Sequence, residues 1–398
     1  MRTPVVAAAI AAVGGIAGAA LALGIARGAG WLDSGTKTVV VRPVQQAPPA
    51  PAAVKPTNKR IPLLFDARRI YSRRSPGVVT IYSSFPSGAQ GQGSGFVVSR
   101  KGYVLTNAHV VTTAPQQPVA RAKEVYVEFA DGDRVKGTVA GYDLFSDVGL
   151  VKVDARTHRL TPLPLGDSSR VVVGEPVATI GSPFGNENSL SVGVVSAKGR
   201  SISSLTSQFQ LVDAIQTDAA INHGTSGGPL VDADGRVIGI SAQIRSSTGQ
   251  GEGVGFAVPI NAAKRSLQQL LRHGRVSYAY VGITTDDLTP SLAKYLHDPV
   301  SHGALITCVK RGSPGADAGL RAGSDHTLFE GAEVVGGGDV VVAIDRHAVR
   351  SGQDVVRLIG QRLSPGDTAV FTVVRGGERK RFSVKLTERP TQPSQECA

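Results

Sequence analysis

Residues 221–244 read INHGTSGGPLVDADGRVIGISAQI. One serine, Ser226, sits between Gly224 and the pair Gly227-Gly228. Gly224, Ser226 and Gly228 also spell G-x-S-x-G, the elbow that exposes a serine between a strand and a long helix. The residues that follow rule that elbow out. Pro229 and the β-branched run behind it oppose a helix. GPLVDADGRVIGISAQI reads instead as strand, turn, strand. The stretch belongs to β structure, and partners for Ser226 must be sought upstream.

Two upstream segments supply them. GYVLTNAHVV places His109 at the end of an apolar strand, and YDLFSDVGLVKVD places Asp147 at the mouth of the next. The order His, Asp, Ser is that of the chymotrypsin-type triad. The chemistry needs a base for the Ser226 hydroxyl, which is His109. It needs a carboxylate to hold the far ring nitrogen, which is Asp147. It also needs preorganised donors for the oxyanion, which the backbone N–H groups of Gly224 and Ser226 can provide. Asp131 and Asp133 lie in a D-G-D turn and read as loop residues; Asp143 is the serious rival for the acid. His223 reads as a loop side chain with no catalytic task.

The surrounding chain agrees with a β protein. Short alternating apolar runs, separated by turn residues, follow one another from about Ser75, as in sandwiches and barrels. Asn261 is the expected N-cap of a closing helix, with Gly274 as its stop. A second unit adds strands, a hairpin turning at Gly376-Gly377, and two helices starting near Ser313 and Ser351. The expected layout is a flank at 1–4, an apolar segment at 5–26 and a basic Pro-rich linker at 27–74. Two folded units follow at 75–275 and 278–388, with a disordered tail at 389–398. Residues 5–26 are long enough to span a bilayer, so a membrane anchor is expected, with a signal segment cleaved after Ala20-Leu21-Ala22 as the alternative. The net charge is +12, but residues 1–75 hold eleven Lys or Arg against two acids. That concentration beside an apolar segment fits a membrane-proximal stalk, and no pattern supports nucleic-acid binding. No metal-ligand spacing or cofactor motif is present. Cys308 reads as a core residue and Cys397 lies in the polar tail, so a disulfide between them is not expected.

TNAHVV, SDVGLVKV, GSPFG, VGVVSA, QTDAAIN, TSGGPLVD and GVGFAVPI resemble the HtrA/Deg family of trypsin-like serine proteases. YVGI, SPGADAGL and GDVVVAID resemble that family's PDZ domain. The resemblance covers about residues 75–388. It implies a mainly β fold: a chymotrypsin-like double β-barrel followed by one PDZ domain. It also implies extracytoplasmic quality control or regulated proteolysis, often in homotrimers. Two positions depart from the family: His223 stands where Pro is usual and Thr225 where Asn is usual. Thr225 cannot form the charged pair of a zymogen switch, so activation by an N-terminal salt bridge is not expected. Residues 324–336 are an insertion, expected to form a loop.

Specificity reads from the pocket positions. Ala220 stands where trypsin-type specificity needs a carboxylate, with Ile221 beside it and Ser241, Ala242 and Gln243 as the other wall. Such a pocket suits small or medium aliphatic side chains. In the second unit, Tyr280, Val281, Gly282 and Ile283 are placed to offer N–H groups to a peptide's terminal carboxylate. Two functions compete: a membrane-tethered serine endopeptidase acting on protein substrates, or a protease-like scaffold that binds unfolded or C-terminal peptides. The complete set of triad positions favours the first.

Overall fold

The structure, a computed structural model, describes residues 65–182, 189–222, 224–244, 254–391 and 396–397. The chain divides into two compact parts, Met1–Ile61 and Pro62–Ala398, and the described residues, with both expected folded units, all lie in Pro62–Ala398. The expected membrane segment, 5–26, falls outside them. Among the described residues no helix is long and apolar enough to cross a membrane.

Six antiparallel strands close the first barrel: β1 (Val78–Ser84), β2 (Gln90–Ser99), β3 (Tyr103–Thr106), β4 (Glu124–Glu128), β5 (Arg134–Asp143) and β6 (Val148–Val153), in the order β1-β2-β3-β6-β5-β4. The alternation of EVYVE explains why β4 lies as it does: Val125 and Val127 point into the barrel, while Glu124 and Tyr126 face out. Six more strands close the second: β7 (Pro176–Gly181), β8 (Ser189–Ser203), β9 (Gln210–Thr217), β10 (Pro229–Val231), β11 (Val237–Ile244) and β12 (Gly255–Pro259), in the order β10-β11-β12-β9-β8-β7. Their interior is filled by Val177, Val195, Ile215, Leu230, Ile238 and Ala257. A third cluster, with Phe96, Leu105, Ile180 and Ile240, spans both barrels. Each of these fully buried side chains contributes about 1.5–3 kcal/mol. The cleft between the barrels therefore has a rigid floor.

Helices fasten the barrels. α1 (Ala67–Arg74) lies within the stretch expected to be linker. Its Ile70 is buried and Phe65 and Tyr71 pack beside it, so the apolar residues among the arginines draw this part onto the barrels. α2 (Ala108–Val111) is a single turn between β3 and β4. α3 (Ile260–His273) follows β12 and ends at Gly274, left-handed at φ 70 as its position predicts. Its N-cap is Pro259, not Asn261. Asn261 sits inside the first turn and donates to Asp167 at 2.7 Å.

The second unit is a six-stranded sheet with short flanking pieces. β13 (Ala279–Tyr280) pairs with β22 (Thr387–Glu388), joining the domain's entry to its exit. β14 (Ile283–Leu288), β15 (Gly303–Val309), β18 (Val340–Ile344), β20 (Thr368–Arg375) and β21 (Glu378–Lys385) run in that order, with β19 (His347–Ala348) beside β18. β14 is an edge strand. β20 and β21 turn at Gly376 and Gly377, both with positive φ, as their positions in the hairpin predict. α5 (Pro314–Asp317) and α6 (Gly352–Arg362) are capped by Ser313 and Ser351 as expected. A third helix, α4 (Pro290–Leu296), is not among the expected ones, although Thr289 accepts from Leu292 N–H and Pro290 stands at its first turn. The 324–336 insertion is not a plain loop: β16 (Asp325–Phe329) and β17 (Ala332–Gly336) pair as a hairpin.

The cysteine expectation is overturned. Cys308 and Cys397 form a disulfide with their Cα atoms 5.4 Å apart. Cys397 also bridges to Lys310, so the described part of the tail lies against the end of β15. Cys308 is buried, as expected, but it is also bonded to that tail, which the alternation of ALITCVK did not reveal.

Candidate active site

Of the candidate triad, His109 and Asp147 are paired directly at the end of the first barrel, and Ser226 enters from the second. β3 ends at Thr106, so His109 rides on α2 rather than on a strand end. Asn107 makes the difference. It is extended at φ −83 and ψ 153, turns the chain into the helix, and donates its amide to the Asp147 carbonyl at 2.7 Å. Asp147 stands immediately before β6, with a left-handed φ of 52. A non-glycine residue there costs roughly 1 kcal/mol, so the surroundings must fix it. They do: its Oδ1 accepts the His109 backbone N–H at 3.0 Å and its Oδ2 meets the ring Nδ1 at 2.8 Å.

This geometry sets the chemistry of the imidazole. A neutral ring that donates Nδ1–H to Asp147 leaves the Nε2 lone pair free as a base. Burial pulls the pKa of His109 down, but the charge of Asp147 and its hydrogen bond outweigh it. The net direction is upward from 6.5. The rival acids are engaged elsewhere. Asp131 pairs with His158 at 3.0 Å on the surface. Asp143 is buried and accepts Tyr278 and Ser266 hydroxyls, each at 2.6 Å.

Ser226 directly follows a turn closed by Thr225 N–H to the Asn222 carbonyl at 3.0 Å. Gly224 occupies the third position at φ 94, a conformation that position demands and that glycine adopts without strain. Thr225, where the family usually has Asn, completes the turn with its hydroxyl: it donates to Asn222 O at 2.7 Å and accepts Asn222 N–H at 2.9 Å. Gly227 is at φ 89, and a Cβ there would lie 2.1 Å from the Ser94 carbonyl. Thr225, Gly227 and Gly228 all donate their N–H groups. Among the described residues, the N–H groups of Gly224 and Ser226 have no acceptor. The two expected oxyanion donors are thus the two left open. The Ser226 hydroxyl donates to the Ala242 carbonyl at 3.0 Å rather than to His109.

Sequence reasoning missed the support beneath this turn. Ser94, fully buried in β2, donates its hydroxyl to the Gly224 carbonyl at 2.6 Å and accepts Ser182 N–H at 3.0 Å. Its own N–H donates to Ser226 O at 2.7 Å, so the first barrel holds the second barrel's turn from below. A serine inside GSGF looks like ordinary strand, and no local signal marks it.

The remaining expected residues separate. Ile221, Ser241 and Ala242 are buried, and Ala220 is exposed. Gln243 lies in β11, but its side chain and His223 fall outside what is described. In the second unit, Val281 is core, Tyr280 is half-buried and Ile283 begins the edge strand β14. Gly282, at φ 80, accepts Lys310 N–H at 2.7 Å. Among the described residues, the N–H groups of Val281 and Gly282 donate to nothing, so the loop offers two free donors at the end of an open strand. Among the described residues there is no cluster of three metal-ligating side chains.

Two barrels with such a site in their cleft define a trypsin-like serine protease fold carrying a PDZ domain. Residues 93–240 match the trypsin-like peptidase domain family and residues 279–386 the PDZ domain family. The chain is 38% identical over 305 residues to a probable periplasmic serine endoprotease, DegP-like, of Hahella chejuensis, covering 77% of this chain and 59% of that protein. It is 35% identical to Protease Do-like 1, chloroplastic, of Arabidopsis thaliana, covering 76% and 65%. The chain thus spans about three fifths of the length of the curated relatives it matches. Among solved structures, the HtrA-type protease AlgW with a tripeptide superposes with a TM-score of 0.68 at 31% identity, covering 82% of this chain and 98% of that one. The chain belongs to the HtrA-type proteases.

Proposed function

We propose that the protein is an extracytoplasmic serine endopeptidase acting on misfolded or regulatory proteins. Ser226 attacks the scissile carbonyl, His109 takes its proton through Nε2, and Asp147 holds the ring and stabilises the imidazolium. The N–H groups of Gly224 and Ser226 receive the oxyanion, and water then releases the acyl-enzyme. The observation that carries this reading is the 2.8 Å His109–Asp147 pair beside a serine whose turn leaves two N–H groups open. The names of the relatives, periplasmic endoproteases, support the compartment. Residues 5–26 serve as a membrane tether in this reading, and the working assembly is a homotrimer.

Peptide binding at the PDZ domain raises activity. A peptide's carboxylate takes the free donors of Val281 and Gly282, and its chain extends β14. The structures of the HtrA-type protease AlgW with a tripeptide and with a decapeptide support peptide binding in this reading. The alternative, a scaffold without significant proteolysis, has one observation in its favour: the Ser226 hydroxyl is bonded to Ala242 rather than to His109. In the protease reading that bond belongs to a resting state of low activity. The test is hydrolysis of an unfolded protein and of peptides with Val, Ala, Leu, Phe or Arg at P1, with and without a C-terminal PDZ ligand. Cleavage after small aliphatic residues, raised by ligand and lost in Ser226→Ala, is expected. Binding without cleavage under all conditions would establish the scaffold.

A further inference from the structure

A buried polar cluster outside the triad centres on Asp143, four residues before Asp147. Asp143 ends β5 and accepts four donors: the hydroxyls of Tyr278 and Ser266 on Oδ2, and the N–H groups of Phe145 and Ser146 on Oδ1, at 2.9 and 3.3 Å. Tyr278 lies in the connection into the PDZ domain, one residue before β13. Its hydroxyl also meets the Ser146 hydroxyl at 2.6 Å. The phenol has one proton, and a carboxylate can only accept, so that proton goes to Asp143 and Ser146 donates to the phenol oxygen. Burial, and then the charge of Asp143, push the phenol well above its ordinary range, so it keeps its proton across the working range. Ser146 is the neighbour of Asp147, whose left-handed backbone needs external support.

The domain's exit is fastened at the same place. Arg389, just beyond β22, donates its N–H to the Tyr278 carbonyl at 2.8 Å. Its guanidinium lies 4.9 to 5.3 Å from the ring centres of Phe145, Phe209 and Tyr278, while Arg265 of α3 lies 4.7 Å from the Tyr278 ring. Thr206, in the β8–β9 loop with Phe209, donates to the Leu144 carbonyl at 2.6 Å. Both chain connections of the PDZ domain, and one loop of the second barrel, therefore converge on residues 143–147. A cavity of about 490 Å³ borders this cluster between α6 and the barrels, so the seam is not packed solid.

We propose that Tyr278 is a positioning residue for the catalytic acid: through Ser146 it couples the placement of the PDZ domain to the placement of Asp147. The inference rests on the protease reading above and adds the route by which the second domain reaches the triad. When the domain shifts, the phenol withdraws from Ser146, the turn relaxes and the His109–Asp147 pair loosens. Asp143, Arg265 and Arg389 are the charged groups facing the phenol from β5, α3 and the domain's exit. Among the described residues Asp147 is the one charged group that shifts His109.

The test is steady-state kinetics of the full chain carrying Tyr278→Phe, which keeps the ring and its stacking but loses the hydroxyl. Peptide hydrolysis is expected to lose roughly tenfold in kcat with KM within about twofold, the scale of one buried hydrogen bond. The acid limb of the pH profile moves to lower pH, because burial then outweighs the weakened Asp147 pair at His109. Stimulation by a PDZ ligand falls toward onefold. Ser146→Ala should reproduce these effects, and the double variant should be no worse than either single one. Wild-type kcat and pH profile in Tyr278→Phe, or a lowered Tm alone, would overturn the proposal. If the wild type neither cleaves nor labels at Ser226, the protease reading has failed instead. If it cleaves but ignores PDZ ligands, the kinetic arm still decides.

Discussion

Asp143 and Asp147 bracket one short turn, both are buried, and they do opposite jobs. Asp147 makes a focused contact with one imidazole and tolerates a left-handed backbone to do it. Asp143 spreads its charge over four donors drawn from its own turn, α3 and the domain connection. The first is built to change another group's proton affinity; the second is built to hold parts together. A carboxylate's role is set by what donates to it. Burial alone does not distinguish the two.

The largest effect should come from the focused carboxylate. Asp147→Asn leaves the fold intact but loses the tautomer of His109, and kcat should fall on the order of 10⁴-fold. Asp143→Asn breaks the comparison from the other side. An amide cannot accept from all four donors, so thermal unfolding should show a loss of about 2–3 kcal/mol, with a smaller fall in kcat. If Asp143→Asn were the worse catalyst and the more stable protein, the roles assigned here would be reversed.

Ser94→Ala probes the support under the oxyanion turn. It removes the hydrogen bonds to the Gly224 carbonyl and from Ser182 N–H, so kcat/KM should fall about tenfold and stability by about 1–3 kcal/mol. The pH profile comes next. Activity needs neutral His109, whose pKa lies above 6.5, so kcat/KM should drop as pH falls through that raised value. In Asp147→Asn the raising influences are gone, and residual activity should persist to lower pH. The smallest catalytic effect belongs to the disulfide. Cys397→Ser opens a link across 89 residues and should lower stability by about 2 kcal/mol while leaving barrel chemistry unchanged. A Tm series with and without reductant checks this.

Much of the fold was legible because the strands advertise themselves. EVYVE and RVKGTV alternate, and the hairpin glycines at 376 and 377 stand where positive φ is needed. His109, Asp147 and Ser226 were legible through their motifs and their order. Ser94, Tyr278 and Arg389 were not. Each works through a partner 100 or more residues away, and nothing local distinguishes a serine in a strand or a tyrosine in a connection. The disulfide was missed because its partners stand 89 residues apart and ALITCVK carries no sign that the chain near 397 returns to it.

The central claim is that Ser226 is the activated nucleophile of this cleft. Labelling with a fluorophosphonate, read by intact mass and peptide mapping, tests it most directly. The account predicts a single adduct on Ser226, absent in Ser226→Ala and formed far more slowly in Asp147→Asn than in Asp143→Asn. An adduct on another residue, or labelling that survives Ser226→Ala, would contradict it.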